Sequence, residues 1–208
     1  MANHFTRSAL GVLVPVIITL AAQSAQTTKK AGPDEAKPLP VRAPFNMSNY
    51  FFPSGWMGNF EEKGRKLLEV NTAFKGKPRQ GSSNGLCIKI TYKGSTWVGI
   101  YWQSPDGNWG DKPGRTVTGA NRLTFWAAGD QGNEVVEFKS GGSGIGSKYR
   151  DTFEVTTGQL SLERDWKHYE ISLANQELSN VIGAFAVIIH SDGVQSGTTI
   201  YLDKIQFE

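Results

Sequence analysis

The rhythm of the chain constrains its fold most. Short stretches of alternating apolar and polar residues recur, each closed by Gly, Pro, Asn or Asp, and no stretch carries a long helical period. Leu67 to Asn71, Leu86 to Tyr92, Trp97 to Gln103, Asn121 to Ala127, Glu134 to Ser140 and Tyr149 to Val155 read as strands. Trp166 to Leu173, Gly183 to His190 and Thr198 to Phe207 follow, and Leu160 to Leu162 adds a short one. The only helical turn expected is Asn175 to Val181. About nine to eleven strands at this spacing predict an all-β chain, an antiparallel β-sandwich, with the jelly roll as its specific form. The 24 glycines suit a fold with that many turns.

Alternation also sorts residues by face. Leu123 and Phe125 share one side of their strand, and Arg122, Thr124 and Trp126 the other. Val136 and Phe138 point inward while Glu137 and Lys139 face away; Tyr169, Ile171 and Leu173 go in while His168 and Glu170 go out. The richest stretch is Trp97-Val-Gly-Ile-Tyr-Trp-Gln-Ser-Pro-Asp-Gly-Asn-Trp-Gly-Asp111, which holds three of the six tryptophans. It starts as a strand, with Trp97, Gly99 and Tyr101 on one face and Val98, Ile100 and Trp102 on the other. It ends as a loop, because Ser-Pro-Asp-Gly-Asn cannot continue a sheet. Trp102 reads as core. The opposite face and the loop beyond it carry more aromatic surface than a solvent-facing edge needs, and are expected to form the floor and rim of a ligand site. Trp166 is expected to plug an end of the sandwich, and Trp56, between Gly55 and Gly58, to sit in a packed loop.

Residues 1–25 read as a secretory signal: Arg7 precedes an apolar run from Ala9 to Ala22, and small residues around Ala22-Gln-Ser24 suit cleavage. The run is too short for a confident span, so the mature chain is expected to be secreted or periplasmic, with no membrane attachment. Residues 26–44, with Pro33, Pro38, Pro40 and Pro44, read as a linker, leaving 45–208 as the domain. The net charge of +3 comes without any Lys/Arg-rich run, which argues against nucleic acid as partner. A single cysteine, Cys87, rules out a disulfide within the chain. Gly141-Gly-Ser-Gly-Ile-Gly146 opens no helix and lacks the Lys-Ser/Thr ending of a phosphate loop, so it reads as a hairpin or ligand-side loop.

The closing segments Leu162-Glu-Arg-Asp-Trp-Lys-His-Tyr-Glu-Ile-Ser-Leu, Leu178-Ser-Asn-Val-Ile-Gly-Ala-Phe and Thr199-Ile-Tyr-Leu-Asp-Lys-Ile-Gln-Phe-Glu resemble the last strands of galactose-binding-like jelly rolls. That fold includes many carbohydrate-binding modules. Pro53-Ser-Gly-Trp-Met-Gly-Asn59 and the Trp97–Gly110 stretch resemble a bacterial exported subgroup of it, in which Asp is expected where Asn59 stands. The resemblance covers 45–208 and implies a structural calcium bridging the first and last strands. Asp203 would be its ligand, with Asn49 and Glu61 as further candidates. The family's second acid is Lys204 here. By parity with Ile205 and Phe207, Asp203 is expected to point inward unless a bulge intervenes, and a buried carboxylate needs a partner or a cation.

Sugars present apolar C–H faces for flat rings to stack on, and hydroxyls for polar side chains to bond. Trp97, Tyr101, Trp109 and Trp126 are the candidates for the first role; Asp111, Glu137, Lys148, Arg150 and Asp151 for the second. The expected function is non-catalytic carbohydrate binding by an exported monomeric module. The alternatives are a polysaccharide lyase or glycoside hydrolase on the same fold, and a structural or protein-binding envelope domain. Catalytic signals are sparse: His4, His168 and His190 have no metal-ligand spacing, there is no Gly-x-Ser-x-Gly elbow, and Glu61-Glu62 reads as a solvated loop.

Overall fold

A computed structural model describes residues 36–190 and 197–208. The signal segment, 1–25, and the first part of the linker lie outside the described residues. In chain order the strands are β1 (Leu39–Arg42), β2 (Phe45–Asn46), β3 (Phe52–Gly58), β4 (Glu61–Glu62), β5 (Arg65–Lys66), β6 (Leu68–Phe74), β7 (Cys87–Tyr92) and β8 (Val98–Gln103). They continue with β9 (Arg115–Thr118), β10 (Arg122–Gly129), β11 (Val135–Gly141), β12 (Glu154–Ser161), β13 (Lys167–Ser172), β14 (Gly183–Ile189) and β15 (Thr198–Phe207). One 3₁₀ turn covers Met47–Asn49. Among the described residues no helix is long and apolar enough to cross a membrane.

Two antiparallel sheets face each other. Sheet I runs β12-β11-β14-β8-β3; sheet II runs β13-β10-β15-β7-β6, with β2 added against β15. From β7 onward the chain passes repeatedly between the sheets, which is the jelly-roll sandwich. Every pair in these two sheets is antiparallel. Three phenylalanines join them: Phe125 of sheet II lies 4.7 Å from Phe138 and 5.0 Å from Phe185 of sheet I, between ring centroids. Val98, Ile100 and Trp102 point into the same core, as their alternation requires.

Four expectations change. The linker contains β1, which pairs in parallel with β9 from Leu39↔Arg115 to Arg42↔Thr118 and buries Val41. Pro40 is tolerated because β1 is an edge strand. The strand expected at Tyr149–Val155 begins only at Glu154, because Gly141, Gly142, Gly144 and Gly146, all at positive φ, make 141–153 a looped excursion. The helical turn at 175–181 is extended instead: Arg115 and Val181 exchange backbone hydrogen bonds, and the Val117 N–H reaches the Leu178 carbonyl. Trp56 lies in β3, half-buried against the core, 6.1 Å from Phe60.

Candidate ligand-binding face

On sheet I the residues alternating with the core line an outward face. Register places them in rows across the strands. One row is Gln159, Glu137, Ile188, Gly99 and Met57; the next is Thr156, Lys139, Ala186, Tyr101 and Gly55. Gly99 and Ala186 are small and buried, Gly99 beneath Met57 and Ile188, so the middle of the face is a shallow trough surfaced by the side chains around them. Gly55 is required there, since a Cβ would lie 2.7 Å from the Tyr101 Cβ, while at Gly99 the Met57 Cε fills the space a Cβ would take, 2.6 Å away. Ile189↔Val98 is the last pair of β14 with β8, and one step further the antiparallel register sets His190 opposite Trp97.

Two exposed indoles stand at the two ends of the trough. Trp97, just before β8, keeps 48% of its surface exposed, and Trp109, in the loop after β8, keeps 38%. The loop is stapled by Asn108, whose amide NH₂ donates to the Lys112 carbonyl (2.8 Å) while its Oδ1 accepts from the N–H groups of Gly110 (3.1 Å) and Lys112 (3.2 Å). Trp109 is thereby held edge-on to Tyr101, at 6.2 Å and 90°. Tyr101 itself is buried. Its hydroxyl donates to the Gly141 carbonyl at 2.9 Å, and burial, aided by the Asp151 charge, pushes its ionisation far upward. It is floor, not a free ligand group.

The glycine-rich loop packs against the Trp109 loop. The Tyr149 N–H reaches the Gly110 carbonyl at 3.0 Å, and the Ser147 hydroxyl reaches the Trp109 carbonyl at 2.9 Å. Gly110, at φ +102, could carry no side chain, since a Cβ would meet Ser147 at 2.3 Å. Ile145 at the loop tip is 76% exposed. Lys148, stacked 4.9 Å over the Tyr149 ring, and Arg150 and Asp111 are exposed on these two loops at the Trp109 end.

Asp151 has a different task from the one expected. It is buried, and its carboxylate accepts from the N–H groups of Ser143 (2.7 Å), Ile182 and Gly183. Burial pushes its pKa up to about 7 against the pull of those backbone donors. It ties the glycine loop to the start of β14 and is not available for a ligand hydroxyl.

Along the other wall, the Glu137 Oε2 and His190 Nε2 are 2.7 Å apart, and the Thr156 hydroxyl donates to Glu137 Oε1 at 2.5 Å. Burial alone would raise the Glu137 carboxyl, but these hydrogen bonds and the charges of His190 and Lys139 outweigh it and hold it below its ordinary value. Lys139 pairs with Glu154. The structure thus gathers Trp97, Tyr101, Trp109 and Glu137 on one face, with Asp111, Lys148 and Arg150 at its end. His190, Met57, Ile188 and Tyr149 also belong to this face and were not anticipated. The parity of His190 with Ile188 was the available signal.

Trp126 is on the opposite side of the molecule, on the outward face of sheet II. There it is half-buried between the Arg79 guanidinium, 4.9 Å from its ring, and His168, at 5.1 Å. Asp203 shares that face. Its expected inward direction is reversed by a bulge: Gln206 pairs with Thr124 but Asp203 with Trp126, and Lys204 takes φ +49. Its carboxylate accepts from the Arg79 Nε–H at 2.7 Å, with both side chains nearly buried (10% and 15% exposed). Glu61 lies opposite Lys66 in the exposed β4-β5 hairpin, and Asn49 is exposed in the 3₁₀ turn. Among the described residues no group of three or more His, Cys, Asp or Glu could hold a metal ion. The donor set around Asp203 does not fit calcium, because an arginine already satisfies its charge. A separate cavity of about 440 Å³ opens beside the bulge, where β7 stops pairing with β15 and β2 takes over.

No family model matches the sequence, and no curated protein matches it. Among solved structures, the chain is similar to a family 11 carbohydrate-binding module from Clostridium thermocellum in complex with a β-1,3-1,4-mixed-linked tetrasaccharide (14% identity, 75% of this chain and 95% of that one, TM-score 0.44). It is also similar to the family 30 carbohydrate-binding module of a cellulosomal cellulase of Clostridium thermocellum (19% identity, 80% and 93%, TM-score 0.44). A third is TmCBM61 in complex with β-1,4-galactotriose (15% identity, 78% and 93%, TM-score 0.43).

Proposed function

We propose that this chain is an exported, non-catalytic module that binds a carbohydrate chain on the outward face of sheet I. One observation carries this: Trp97 and Trp109 stand exposed at opposite ends of one outward face, with the half-exposed side chains of Met57 and Ile188 between them. Flat rings flanking a shallow floor suit the C–H faces of a saccharide, and a wall of Glu137, His190, Thr156 and Lys139 suits its hydroxyls. A binding role without hydrolysis is supported by how the acids of this face are engaged: Glu137 is held by Thr156 and His190, and Glu154 is paired with Lys139.

The test is affinity electrophoresis of the purified protein in gels containing soluble β-1,3-1,4-glucan, xylan or β-1,4-galactan, together with a reducing-end assay on the same polymers. Retardation by at least one glycan with no release of reducing ends is expected. Turnover would move the site into the hydrolase class, and no retardation or fluorescence change with any glycan would end the proposal.

A further inference from the structure

The wall of the trough carries a feature that stacking alone does not require. Glu137 and His190 come from neighbouring strands, β11 and the end of β14, and meet at 2.7 Å with side chains 16% and 33% exposed. The carboxylate is fixed on its other oxygen by Thr156 of β12. The imidazole is thus oriented from behind, by Nε2, at the position that register sets opposite the exposed Trp97. The pair does not use the second ring nitrogen, Nδ1.

We propose that Glu137 and His190 work as one hydroxyl-recognising unit beside Trp97, and that the protonation of this unit sets the pH range over which the Trp97 end of the trough holds a sugar. This rests on the carbohydrate-binding reading above and deepens it. Histidine changes charge between about pH 5 and 8. On the alkaline side, the Nε2–H donated to Glu137 leaves Nδ1 as an acceptor. On the acid side both nitrogens donate, so Nδ1 turns from receiving a hydroxyl proton to offering one. A hydroxyl placed over Nδ1 while its ring lies on Trp97 binds one of these states better than the other.

The groups that face the pair come from each neighbouring strand, and Asp151, whose pKa is pushed up to about 7, lies further along at the Trp109 end. From β11 come Glu137 itself and Lys139, whose charge is paired with Glu154 of β12. From β12, Thr156 bonds the carboxylate and Gln159 lies opposite Glu137. From β14 and β8 the neighbours are Ile188 and Trp97, which do not titrate.

The chain has only three histidines, so the ring signals of His190 can be followed by NMR, with His168 on the far sheet as internal reference. The probe is whichever of β-1,3-1,4-glucan, xylan or β-1,4-galactan oligosaccharides the wild-type protein binds. Saturation is expected to move the His190 titration midpoint by about half a pH unit, and affinity to change about three-fold between pH 5 and 8, the two being linked. His190→Gln keeps a donor toward Glu137 and cannot titrate, so the part of the pH dependence that belongs to His190 should vanish, leaving only what Asp151 contributes at the Trp109 end; Glu137→Gln should weaken binding at all pH values. A His190 midpoint unmoved by ligand, a wild-type affinity flat with pH, or a pH dependence as large in His190→Gln as in the wild type overturns the proposal while leaving carbohydrate binding intact. Failure of the wild type to bind any of the three probes overturns both. The NMR arm needs no substitution, so a variant that fails to fold does not block the test.

Discussion

The two outward faces of the sandwich start from similar material and end differently. Sheet I presents Trp97, Tyr101 and Trp109; sheet II presents Trp126, Tyr201 and, from the end of β6, Phe74. On sheet II the chain supplies its own cover. The segment between β6 and β7 places Arg79 over Trp126 and Lys77 4.8 Å over Tyr201, while Lys89 of β7 lies 4.9 Å over Phe74. The ammonium of Lys77 is held by the carbonyls of Gly129 and Arg164, and the Tyr201 hydroxyl donates to Asp130 at 2.6 Å. Each ring already has a cation, a ring or an acid as neighbour. On sheet I Trp97 and Trp109 remain among the exposed large side chains instead. An aromatic on an outward face is therefore open to a ligand only where the fold leaves it uncapped.

Substituting the tryptophans is expected to break this comparison most visibly. Removing an indole that stacks on a sugar forfeits about 1.5–3 kcal/mol of buried apolar contact, or roughly 10- to 100-fold in affinity. Trp97→Ala and Trp109→Ala should each show this loss in isothermal titration against the glycan the wild type binds. Trp126→Ala should change affinity by less than about two-fold, since that ring serves sheet II. Equal losses from all three would mean that the two faces are not functionally distinct.

Much of this contrast was beyond what the sequence could reveal, for a definite reason. Strand existence follows from local alternation, and β15 coincides end to end with the expected Thr198–Phe207. The inward set Leu123, Phe125, Val136 and Phe138 is buried as parity requires. Which sheet a strand joins depends on pairing far along the chain. Thus Trp97 and Trp126, both outward by parity, could not be assigned to different sides. The Asp203 direction failed for a local reason, because one extra residue at the β15 bulge inverts parity. Asp151 failed because a lone acid after a glycine-rich loop looks alike whether it serves a ligand or three backbone amides.

A smaller effect should come from uncovering sheet II. The Arg79–Asp203 pair is nearly buried, so Arg79→Ala leaves a carboxylate without its partner and Trp126 without its cap. Breaking a buried pair from one side costs roughly 3 kcal/mol, which chemical denaturation would register. Replacing both members, Arg79→Met with Asp203→Leu, should recover much of the loss, because no buried charge then remains. Glycan affinity should stay within about two-fold throughout. If Arg79→Ala instead created a second glycan site, the cap would prove to be what separates the two faces.

Chelation sets the smallest effect against the calcium that the family resemblance implies. A structural ion at Asp203 would stabilise the fold in proportion to its occupancy, by about 2.7 kcal/mol at a hundred-fold excess over its dissociation constant. With Arg79 already 2.7 Å from that carboxylate, a divalent ion would have to displace a guanidinium held on one side by Asp203 and on the other by the Trp126 ring. Thermal unfolding in excess EDTA and in millimolar calcium should therefore agree within about 1 °C, well short of the roughly 2–4 °C per kcal/mol expected for a chain of this size. A clear calcium-dependent rise, retained in Asp203→Asn, would place an ion elsewhere in the sandwich. A rise abolished by that substitution would show that Arg79 yields to the metal.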